Sequence, residues 1–492
     1  MSAFDGGAVT SAPHNGASVA PRMINWRPTG NGPNTVVELS QPELIRRSRD
    51  MRRNNPHGKR ALDLISTHTV GGGIKPRSLC ADDGVRESLT NLWARWCEVA
   101  DADGVLDFYG MQNLAVSEMA EGGETFGRLR VRRMEDGLPV PLQVQLIPTE
   151  MVPLDYQRMN GPNNIVQGIE RNPIGQRVAY WMYRQHPGES AYYGPNADNA
   201  FPYRVDAADV LHLYNVCRIG QLRGMPWLAA AITTLHQINQ YVDAELLRKQ
   251  MVAMVVGFIT RAAGPDVPAE EIAAAWGEIQ SSLGNIPSIG LEPGTMQYLD
   301  YNEDVKFNNP AEVGGSYEPF LASNYRAVAA AAGVLYEELT GDWKNTNDRV
   351  YRAEFNTFKR NARQWQWNLV GYQFNRPIWN RFVELAVASG AISLPSSVTL
   401  DEAKRVEWRP ERWEYLNPWQ DVQTVEKEID IGLTSRQAAV AERGDDVEDI
   451  DRQRAADKAR EDRLGVPITK TASSPATDPS INSDNPNPQE GQ

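Results

Sequence analysis

One stretch of the chain, from Gly224 to Phe258, constrains the possible folds more than any other. Its apolar residues recur in steps of three and four, which is the spacing of one face of an α-helix. The residues of this face are Leu228, Ile232, Leu235, Ile238, Val242 and Leu246. The spacing predicts a helix over residues 226–252, and a helix of about 27 residues is roughly 40 Å long. Such a helix is either the centre of a large helical domain or a stem that carries a separate module.

Periodicity alone favours one long core helix in a large α-rich domain, but the sequence after this helix suggests the stem. Beyond Met251 the pattern changes to a strand-like apolar run. From Ile259 to Asn309 the chain is predicted to form a small insert with a strand, a helix over Ala269–Ser282, a loop rich in glycine and proline, and a second strand. A further helix is predicted over Ser316–Ala332, so the chain leaves and returns through two helices.

The residues before the long helix predict an α+β region. Residues 1–40 are rich in Gly, Pro, Asn and Ser, which indicates an extended arm or a disordered leader. Order is expected from about Gln41, with a basic helix, a turn at Asn54-Asn55-Pro56 and a second helix through Ile65. Further helices are predicted over Val85–Ala100 and Phe108–Glu121. Strands are predicted over Thr125–Arg132, Leu142–Ile147, Ile165–Arg171, Arg177–Tyr183 and Val210–Leu213.

The second half is predicted to be mainly helical. A polar turn at Gly341–Asp348 leads into a long helix, Asp348–Ser389, which Pro377 is expected to kink or break. The region from Ser393 to Gln420 is irregular and rich in tryptophan. Helices follow at Asp421–Gly432, Ser435–Asp445 and Asp449–Leu464, with Thr434 and Ser435 as a cap for the second of them. Residues 466–492 have the composition of a disordered tail.

Charge and cysteine content exclude several classes of protein. The chain has 492 residues and a formal net charge of −13. This acidic balance argues against a protein that binds nucleic acid by neutralising many phosphates, although DNA can still pass along a repelling wall. The three cysteines form no CxxC pair, which favours a reducing compartment without a metal site. We expect neither a signal peptide nor a membrane span, because no apolar run approaches about 18 residues.

Three local features have both a structural and a functional interpretation. Five arginines between Arg46 and Arg53 could contact nucleic acid, but we favour a solvated face or ion pairs between subunits. His212 lies among apolar residues of a predicted strand and is expected to be a hydrogen-bonded core residue rather than a ligand. Gly71–Gly73 lacks the spacing of a phosphate-binding loop.

Motifs that carry catalysis are absent from the sequence. It contains no Walker A motif, HExxH, GxSxG or EF-hand loop. Acid pairs such as Glu337-Glu338 and Asp445-Asp446 are typical of solvated helix faces. We therefore predict a protein that is not an enzyme and has no cofactor and no metal. Two alternatives stay open: a metal-dependent nuclease of a mobile element, with carboxylates scattered along the chain, and a host-derived scaffold protein.

Four blocks of sequence, in a fixed order, carry a family resemblance. They are RRSRDMRRNNPHGKRALDLISTHTVGGGIKP (Arg46–Pro76); GGETFGRLR (Gly122–Arg130) with LQVQLIPTEMV (Leu142–Val152); IVQGIERNPIGQRVAYWMYRQHPGE (Ile165–Glu189) with DVLHLYNVCRIGQLRGMPWLAAAI (Asp209–Ile232); and YLNPWQDVQTVEKEIDIGLTSRQAAVAERGDDVEDI (Tyr415–Ile450). Each block alone is of moderate specificity. Together, over most of residues 41–465, they resemble the portal proteins of tailed bacteriophages of the lambda type.

The resemblance implies a ring of subunits, typically twelve, at one vertex of a capsid, with DNA passing through its central channel. It implies a portal-type fold, α+β and mainly helical, with an α/β wing, long stem helices, a small α/β clip insert, a helical crown and disordered termini. The parts then fall at 1–40 (arm), 41–223 (wing), 224–258 (stem helix leading into the clip), 259–309 (clip), 310–340 (second stem helix), 341–348 (tunnel loop), 349–391 (long wing helix), 392–465 (crown) and 466–492 (tail).

Partners and site residues follow from the same resemblance. The implied partners are further copies of the chain, double-stranded DNA, the terminase large subunit, a head–tail adaptor, and the major capsid and scaffolding proteins, with no membrane. The implied location is the virion, after assembly in the cytoplasm of a bacterial host. The expected DNA-facing residues of the tunnel loop are Asp342, Trp343, Lys344, Asn345, Thr346 and Asn347, with an ordinary helix–helix turn as the alternative. The six apolar residues of the long helix are expected to pack the stem.

Overall fold

Helices account for most of the chain and small sheets lie between them, as predicted for a mainly helical α+β protein. The structure is a computed structural model, and it describes residues 28–189, 201–254, 258–261, 303–306, 317–344, 346–411, 413, 418–443 and 445–465. The α-helices are α1 (Pro33–Asn54), α2 (Pro56–Val70), α3 (Asp83–Cys97), α4 (Phe108–Gly122), α5 (Ile232–Met254), α6 (Tyr317–Ala332), α7 (Tyr336–Thr340), α8 (Asp348–Gln364), α9 (Arg376–Ala388), α10 (Leu400–Ala403), α11 (Pro418–Asp430), α12 (Arg436–Ala441) and α13 (Val447–Leu464). The strands are β1 (Lys75–Ser78), β2 (Glu124–Val131), β3 (Leu142–Ile147), β4 (Arg158–Asn160), β5 (Asn163–Val166), β6 (Ile169–Arg171), β7 (Arg177–Met182), β8 (Tyr203–Asp206), β9 (Val210–Tyr214), β10 (Phe258–Arg261), β11 (Glu303–Lys306) and β12 (Val406–Arg409).

Helix α1 begins earlier than its composition predicts. The prediction that order starts at Gln41 is wrong, because Val37 and Ile45 form one buried face with Gln41 and extend the helix back to Pro33. A proline suits the first turn, where its missing N–H has no helical partner. The remaining part of the predicted arm, residues 1–27, and the predicted tail, 466–492, lie outside the described residues.

Asparagine and glycine set the ends of α2. The side-chain oxygen of Asn55 accepts the N–H of Gly58 at 2.6 Å and caps the helix. The helix continues past the predicted end at Ile65 to Val70. It stops at Gly71, whose φ of 56° is a conformation that glycine adopts without strain. The glycine-rich segment is therefore a helix end, in agreement with the prediction that it is not a phosphate-binding loop.

Two antiparallel sheets follow α4. The first has the order β3-β2-β9, with Phe126 opposite both Ile147 and His212. The second is the sheet β4-β5-β6-β7-β8. The single strand predicted over Ile165–Arg171 is wrong: it is divided into β5 and β6, because Gln167 and Gly168 both have positive φ and turn the chain.

The predicted long helix is present with a different start. Residues Trp227–Ala230 form a 3-10 turn after Pro226, and the α-helix begins at Ile232. Helix α5 contacts α6, the predicted returning helix. Strands β10 and β11, at the two ends of the predicted insert, pair antiparallel with Phe258 opposite Lys306. The rest of the insert, including the predicted helix over residues 269–282, lies outside the described residues.

The helix after the loop changes its geometry upstream of Pro377. Residues Trp365–Asn375 form a π-helix between α8 and α9, and the N–H of Arg376 bonds to the carbonyl of Gly371. Asn375 and Arg376 keep right-handed helical backbone angles, so the predicted break at Pro377 is wrong, and the predicted kink stays a prediction. Pro377 instead occupies the first turn of α9, where the missing N–H is tolerated.

Aromatic side chains join the distant halves of the core. The ring of Trp93 lies 4.8–5.1 Å from the rings of Trp96, Phe108, Trp379 and Phe382. The region predicted to be irregular contributes α10 and β12, and β12 pairs with β1. Sequence patterning misses this strand pair because β1 and β12 are four residues each and more than 300 positions apart.

The chain forms two compact units, Met1–Trp408 and Arg409–Gln492. In the second unit Ser435 caps α12 by accepting the N–H of Ala438 at 3.0 Å, as predicted. Arg436 pairs with Asp451 of α13. Within the described residues, no helix is long and apolar enough to cross a membrane, and no group of three or more His, Cys, Asp or Glu side chains could hold a metal ion.

Candidate functional site

Local hydrogen bonds fix both ends of the loop between α7 and α8. At its start Gly341 has a φ of 72°, and its N–H bonds to the carbonyl of Glu337 at 2.7 Å. At its end the side-chain oxygen of Asn347 accepts the N–H of Arg349 at 2.9 Å and caps α8. Fixed ends let the middle of the loop project as a defined turn.

The middle of the loop presents an aromatic and a basic side chain to solvent. Trp343 is 48% exposed, and its carbonyl accepts the N–H of Thr346 at 3.2 Å. Asp342 accepts the N–H of Lys344 at 3.3 Å. The ammonium of Lys344 lies 3.8 Å from the carboxylate of Glu318 on α6, and both side chains are 77% exposed. Such an exposed pair contributes little to stability, so Lys344 remains available. The predicted loop residue Asn345 lies outside the described residues.

A row of aromatic rings connects this loop to the start of the long helix. The successive centroid distances are 5.2 Å for Trp343–Tyr351, 5.5 Å for Tyr351–Phe355, 6.4 Å for Phe355–Phe358, 6.2 Å for Phe358–Trp365 and 4.9 Å for Trp365–Trp227. The three rings on α8 are three and four residues apart and therefore share one face. The row gives the loop a rigid base next to the segment from which α5 begins.

Burial and nearby carboxylates disfavour ionisation of the Tyr351 phenol. Burial and the negative charges of Glu338 and Glu337 raise the pKa of Tyr351 to about 12. Glu338 also binds α2, because one of its carboxylate oxygens lies 2.8 Å from His68 Nε2. The base of the loop is thus tied to the core by polar contacts as well as by rings.

The predicted apolar face of the long helix leaves the core partway along its length. Leu228, Ile232, Leu235 and Ile238 are buried, and Val242 packs against the core while partly exposed. Leu246 is 55% exposed and contributes nothing to the core of a single chain. Alongside this outer part, Tyr241 lies 5.0 Å from Phe320 of α6, measured between ring centroids. The outer part of α5 is therefore a half-covered helix that projects from the first unit's core.

A buried charge network holds the segment that leads into this helix. Glu124 is fully buried, and Arg223, also fully buried, donates to its carboxylate at 2.7 Å. The backbone N–H of Gly224 donates to the other carboxylate oxygen at 2.9 Å. Gln41 of α1 donates both to Glu124 and to the carbonyl of Gly224. A side chain at Gly224 would place its Cβ 2.0 Å from the carbonyl oxygen of Gly123, so only glycine fits this crossing.

His212 completes the network as a neutral side chain. Its Nε2 lies 2.9 Å from Glu124, and its Nδ1 accepts from the guanidinium of Arg177 at 2.8 Å, which places the proton on Nε2. Burial lowers the pKa of His212 to about 4. Burial alone would raise the pKa of Glu124, but Arg223, His212 and Gly224 outweigh it and lower this pKa to about 2. The prediction of a hydrogen-bonded core histidine is confirmed.

Most arginines of the α1 cluster form ion pairs with acids of the same chain. Arg49 pairs with Glu118 at 2.6 Å and with Glu150 at 2.8 Å. Arg52 donates to Glu121 at 3.1 Å. Arg46 and Arg47 both pair with Glu43 on the surface. Ion pairing is therefore the main role of these arginines, as favoured from the sequence, but the pairs lie within one chain.

Sequence reasoning missed the pair of Glu124 and Arg223 at the centre of this network. Glu124 and Arg223 are 99 positions apart, and neither belongs to a motif. The available signals were a glutamate at the start of an apolar strand and an arginine next to a glycine. Neither signal distinguishes a buried pair from two exposed residues.

Comparison with known families gives one extended match. The family described as "Phage portal protein, lambda family" matches residues 20–366. The chain is 24% identical over 445 residues to the "Probable portal protein" of Halomonas phage phiHAP-1, covering 88% of this chain and 83% of the relative. It is 21% identical over 482 residues to "Portal protein B" of Escherichia phage lambda, covering 88% and 87%.

Among solved structures, the chain is similar to one described as the neck of an empty GTA particle computed with C6 symmetry. The similarity covers 90% of this chain and 96% of the other at 16% identity, with a TM-score of 0.45. The family match itself spans both the loop after α7 and the long helix α5.

Proposed function

The chain belongs to the lambda family of phage portal proteins, structural components of the virion that connect head and tail, and we propose that about twelve copies form a ring at one capsid vertex. Double-stranded DNA passes through the channel of this ring during packaging and ejection. The single observation that carries the proposal is the family match over residues 20–366. Assembly takes place in the cytoplasm of a bacterial host.

The ring conducts DNA without hydrolysing nucleotide, and other proteins bind to it. The terminase large subunit supplies the motive force, because the sequence has no recognisable nucleotide-binding motif. A head–tail adaptor and the major capsid and scaffolding proteins bind its outer surfaces. No observation on the described residues favours the alternative of a metal-dependent nuclease.

The parts of the subunit follow the order of the chain. Residues 41–223 and 349–391 are wing, α5 and α6 form the stem, residues 259–309 are the clip, and residues 392–465 are the crown. The outer half of α5 supports this assignment, because exposed Leu246 would be covered by a neighbouring stem. The pairing of β10 with β11 supports a clip whose two connections lie side by side.

The loop at 341–348 is the tunnel loop in this proposal. Its middle exposes Trp343 and Lys344, while its ends are capped and its base is the aromatic row. Asp342, Thr346 and Asn347 supply the turn, and Asn345 falls in the same segment. An anchored loop with a flexible basic side chain can contact the phosphates of passing DNA without recognising a base sequence.

Mass measurement tests the ring. We expect native mass spectrometry of the purified chain, at 54.8 kDa per copy, to show a species of about 658 kDa for a twelve-fold ring. Negative-stain images of the same fraction should show a central hole. A folded monomer that stays a monomer at high concentration would contradict the proposal.

Loop replacement tests the tunnel-loop assignment separately. Replacing Trp343–Asn347 by Gly and Ser should leave the ring mass unchanged and reduce the DNA retained per particle, measured on purified heads. The matched control replaces the exposed turn Met134–Asp136 in the same way and should retain the normal amount of DNA. Normal DNA retention with the replaced loop would reject the assignment.

A further inference from the structure

The face of α8 that points away from the core carries a strip of arginine. Arg349, Arg360 and Arg363, called here the arginine strip, are all exposed. At about 100° per residue they lie within about 60° of one another around the helix axis, and about 21 Å separates the first from the last along it. The exposed Asn356 lies between them on the same side. The strip is therefore a straight polar edge on a rigid rod.

The arginine strip has no carboxylate partner among the described residues, whereas some other exposed arginines of the chain do. Arg46, Arg452 and Arg460 each have an acid three residues away, at 3.4, 3.1 and 3.2 Å. On α8 the acid nearest the middle of the strip in sequence, Glu354, lies about 140° around the axis from Arg349. Glu354 is therefore on a different side of α8 from the strip.

The concentration of positive charge opposes helix formation. Arg360 and Arg363 are three residues apart, and Lys359 is four residues from Arg363, so these like charges repel along the helix. An anion that spans the strip would relieve the repulsion. Arginine and asparagine side chains placed along one edge of a helix are suited to the phosphates of a nucleic acid backbone rather than to one small ligand.

Geometry favours a weak contact over a tight one. A duplex carries one negative charge per about 1.7 Å of its axis, so a length of about 21 Å contains about twelve phosphates. Three arginines can contact only a few of these phosphates. The strip starts two residues after Asn347, where the loop with Trp343 and Lys344 ends. The loop and strip are therefore successive parts of one chain segment.

We infer that the arginine strip binds the phosphate backbone of double-stranded DNA in a sequence-independent and salt-sensitive way. The inference rests on the proposed function, because DNA is the polyanion that a portal subunit meets. It adds a second DNA contact beyond the loop. Few contacts of this type slow a moving duplex only slightly, which is compatible with passage.

The test compares two triple variants with equal net charge. Arg349→Gln, Arg360→Gln and Arg363→Gln together remove the strip, whereas Arg46→Gln, Arg452→Gln and Arg460→Gln remove three exposed arginines that have acid partners. DNA binding is measured by fluorescence anisotropy with a labelled duplex of about 30 base pairs, which is several times longer than the strip. The measurement is repeated from about 25 to about 200 mM NaCl, the range in which binding to phosphates depends steeply on salt. The mass of each variant is measured in parallel.

We expect the strip variant to lose about tenfold or more in affinity at low salt, and its slope of log affinity against log salt to fall by up to about 2.7. The control should bind like the wild type. Equal binding by both variants, or no binding by the wild type, would overturn the inference. A strip variant that loses the wild-type mass under conditions in which the control variant keeps it would also overturn the inference, since the strip would then be a contact between subunits. A wild type that binds DNA through the strip as a monomer would support the inference while contradicting the ring.

Discussion

At the scale of single residues, the most consequential side chain is Glu124. Its carboxylate is shared by Arg223, His212, Gln41 and the backbone of Gly224, and all of these groups are buried. A buried ion pair contributes little net stability by itself, but removal of one partner leaves the other charge buried without a counter-charge. The network therefore acts mainly to specify where the chain enters the long helix.

Replacing Glu124 by Gln should lower the free energy of unfolding by about 3–5 kcal/mol, because Arg223 would keep a buried charge without a counter-charge. Urea denaturation followed by tryptophan fluorescence measures this loss. The control Glu43→Gln, at a 51% exposed side chain, should change the free energy by less than about 0.5 kcal/mol. A loss below about 1 kcal/mol for Glu124→Gln would mean that the carbonyl partners of Arg223 are sufficient.

Acid should weaken the same network in two stages. Folding lowers the pKa of His212 from 6.5 to about 4 and that of Glu124 from 4.5 to about 2. Between each pair of values the unfolded chain binds a proton that the folded chain does not, so stability falls as the pH falls. We expect the urea midpoint to decrease from pH 7 to pH 4.5. His212→Gln should flatten this decrease and His236→Gln, at an exposed histidine, should not; an equal decrease in all three proteins would exclude His212 as its source.

At the scale of elements, the long helix divides into a buried and an exposed half, and this division can be measured. Leu235→Ala should cost about 2–5 kcal/mol in the free energy of unfolding, because Leu235 has no exposed surface. Leu246→Ala should change it by less than about 0.5 kcal/mol, since Leu246 is 55% exposed. Thermal and urea unfolding of both variants under conditions that keep the chain monomeric test the difference. Equal losses would mean that the helix is buried along its whole length.

Periodicity alone predicted two elements of the core. The helix over Phe108–Glu121 and the strand Leu142–Ile147 agree with the structure within one residue, because one face of each is continuously buried. The π-helix was not predictable, since its register is set by tertiary contacts such as the hydrogen bond from the N–H of Tyr214 to the side chain of Gln373. The division of β5 from β6 depends on positive φ at Gln167, a residue that seldom adopts it.

The candidate sites were predictable to different degrees. The turn chemistry of the loop is readable from Gly341 and Asn347, which cap the helices on either side of it. The aromatic row that supports the loop is not predictable from the sequence, because Trp227 and Trp365 are far apart in the chain and come into contact only in the fold. Sequence therefore locates a loop, whereas the surface that holds it has to come from the fold.

At the scale of the whole molecule, the family could be predicted from the order of the four sequence blocks but not from any single element. The family match covers residues 20–366, and so includes three of those blocks. Charge, by contrast, is a property of the complete chain. Its value of −13 opposes the approach of further copies.

Assembly should therefore become more favourable as salt increases. In the proposed ring, about twelve copies would bring a charge of about −156 together, and the distance over which these charges repel shrinks from about 10 Å at 0.1 M salt to about 3 Å at 1 M. We expect the fraction of chain in the ring, measured by light scattering at constant protein concentration, to rise between low and high NaCl. The variant with Arg46→Gln, Arg452→Gln and Arg460→Gln has three more uncompensated negative charges, and should need more salt to reach the same fraction. A ring that instead dissociates as salt increases would show that ion pairs between subunits, rather than apolar surfaces such as the one around Leu246, hold the copies together.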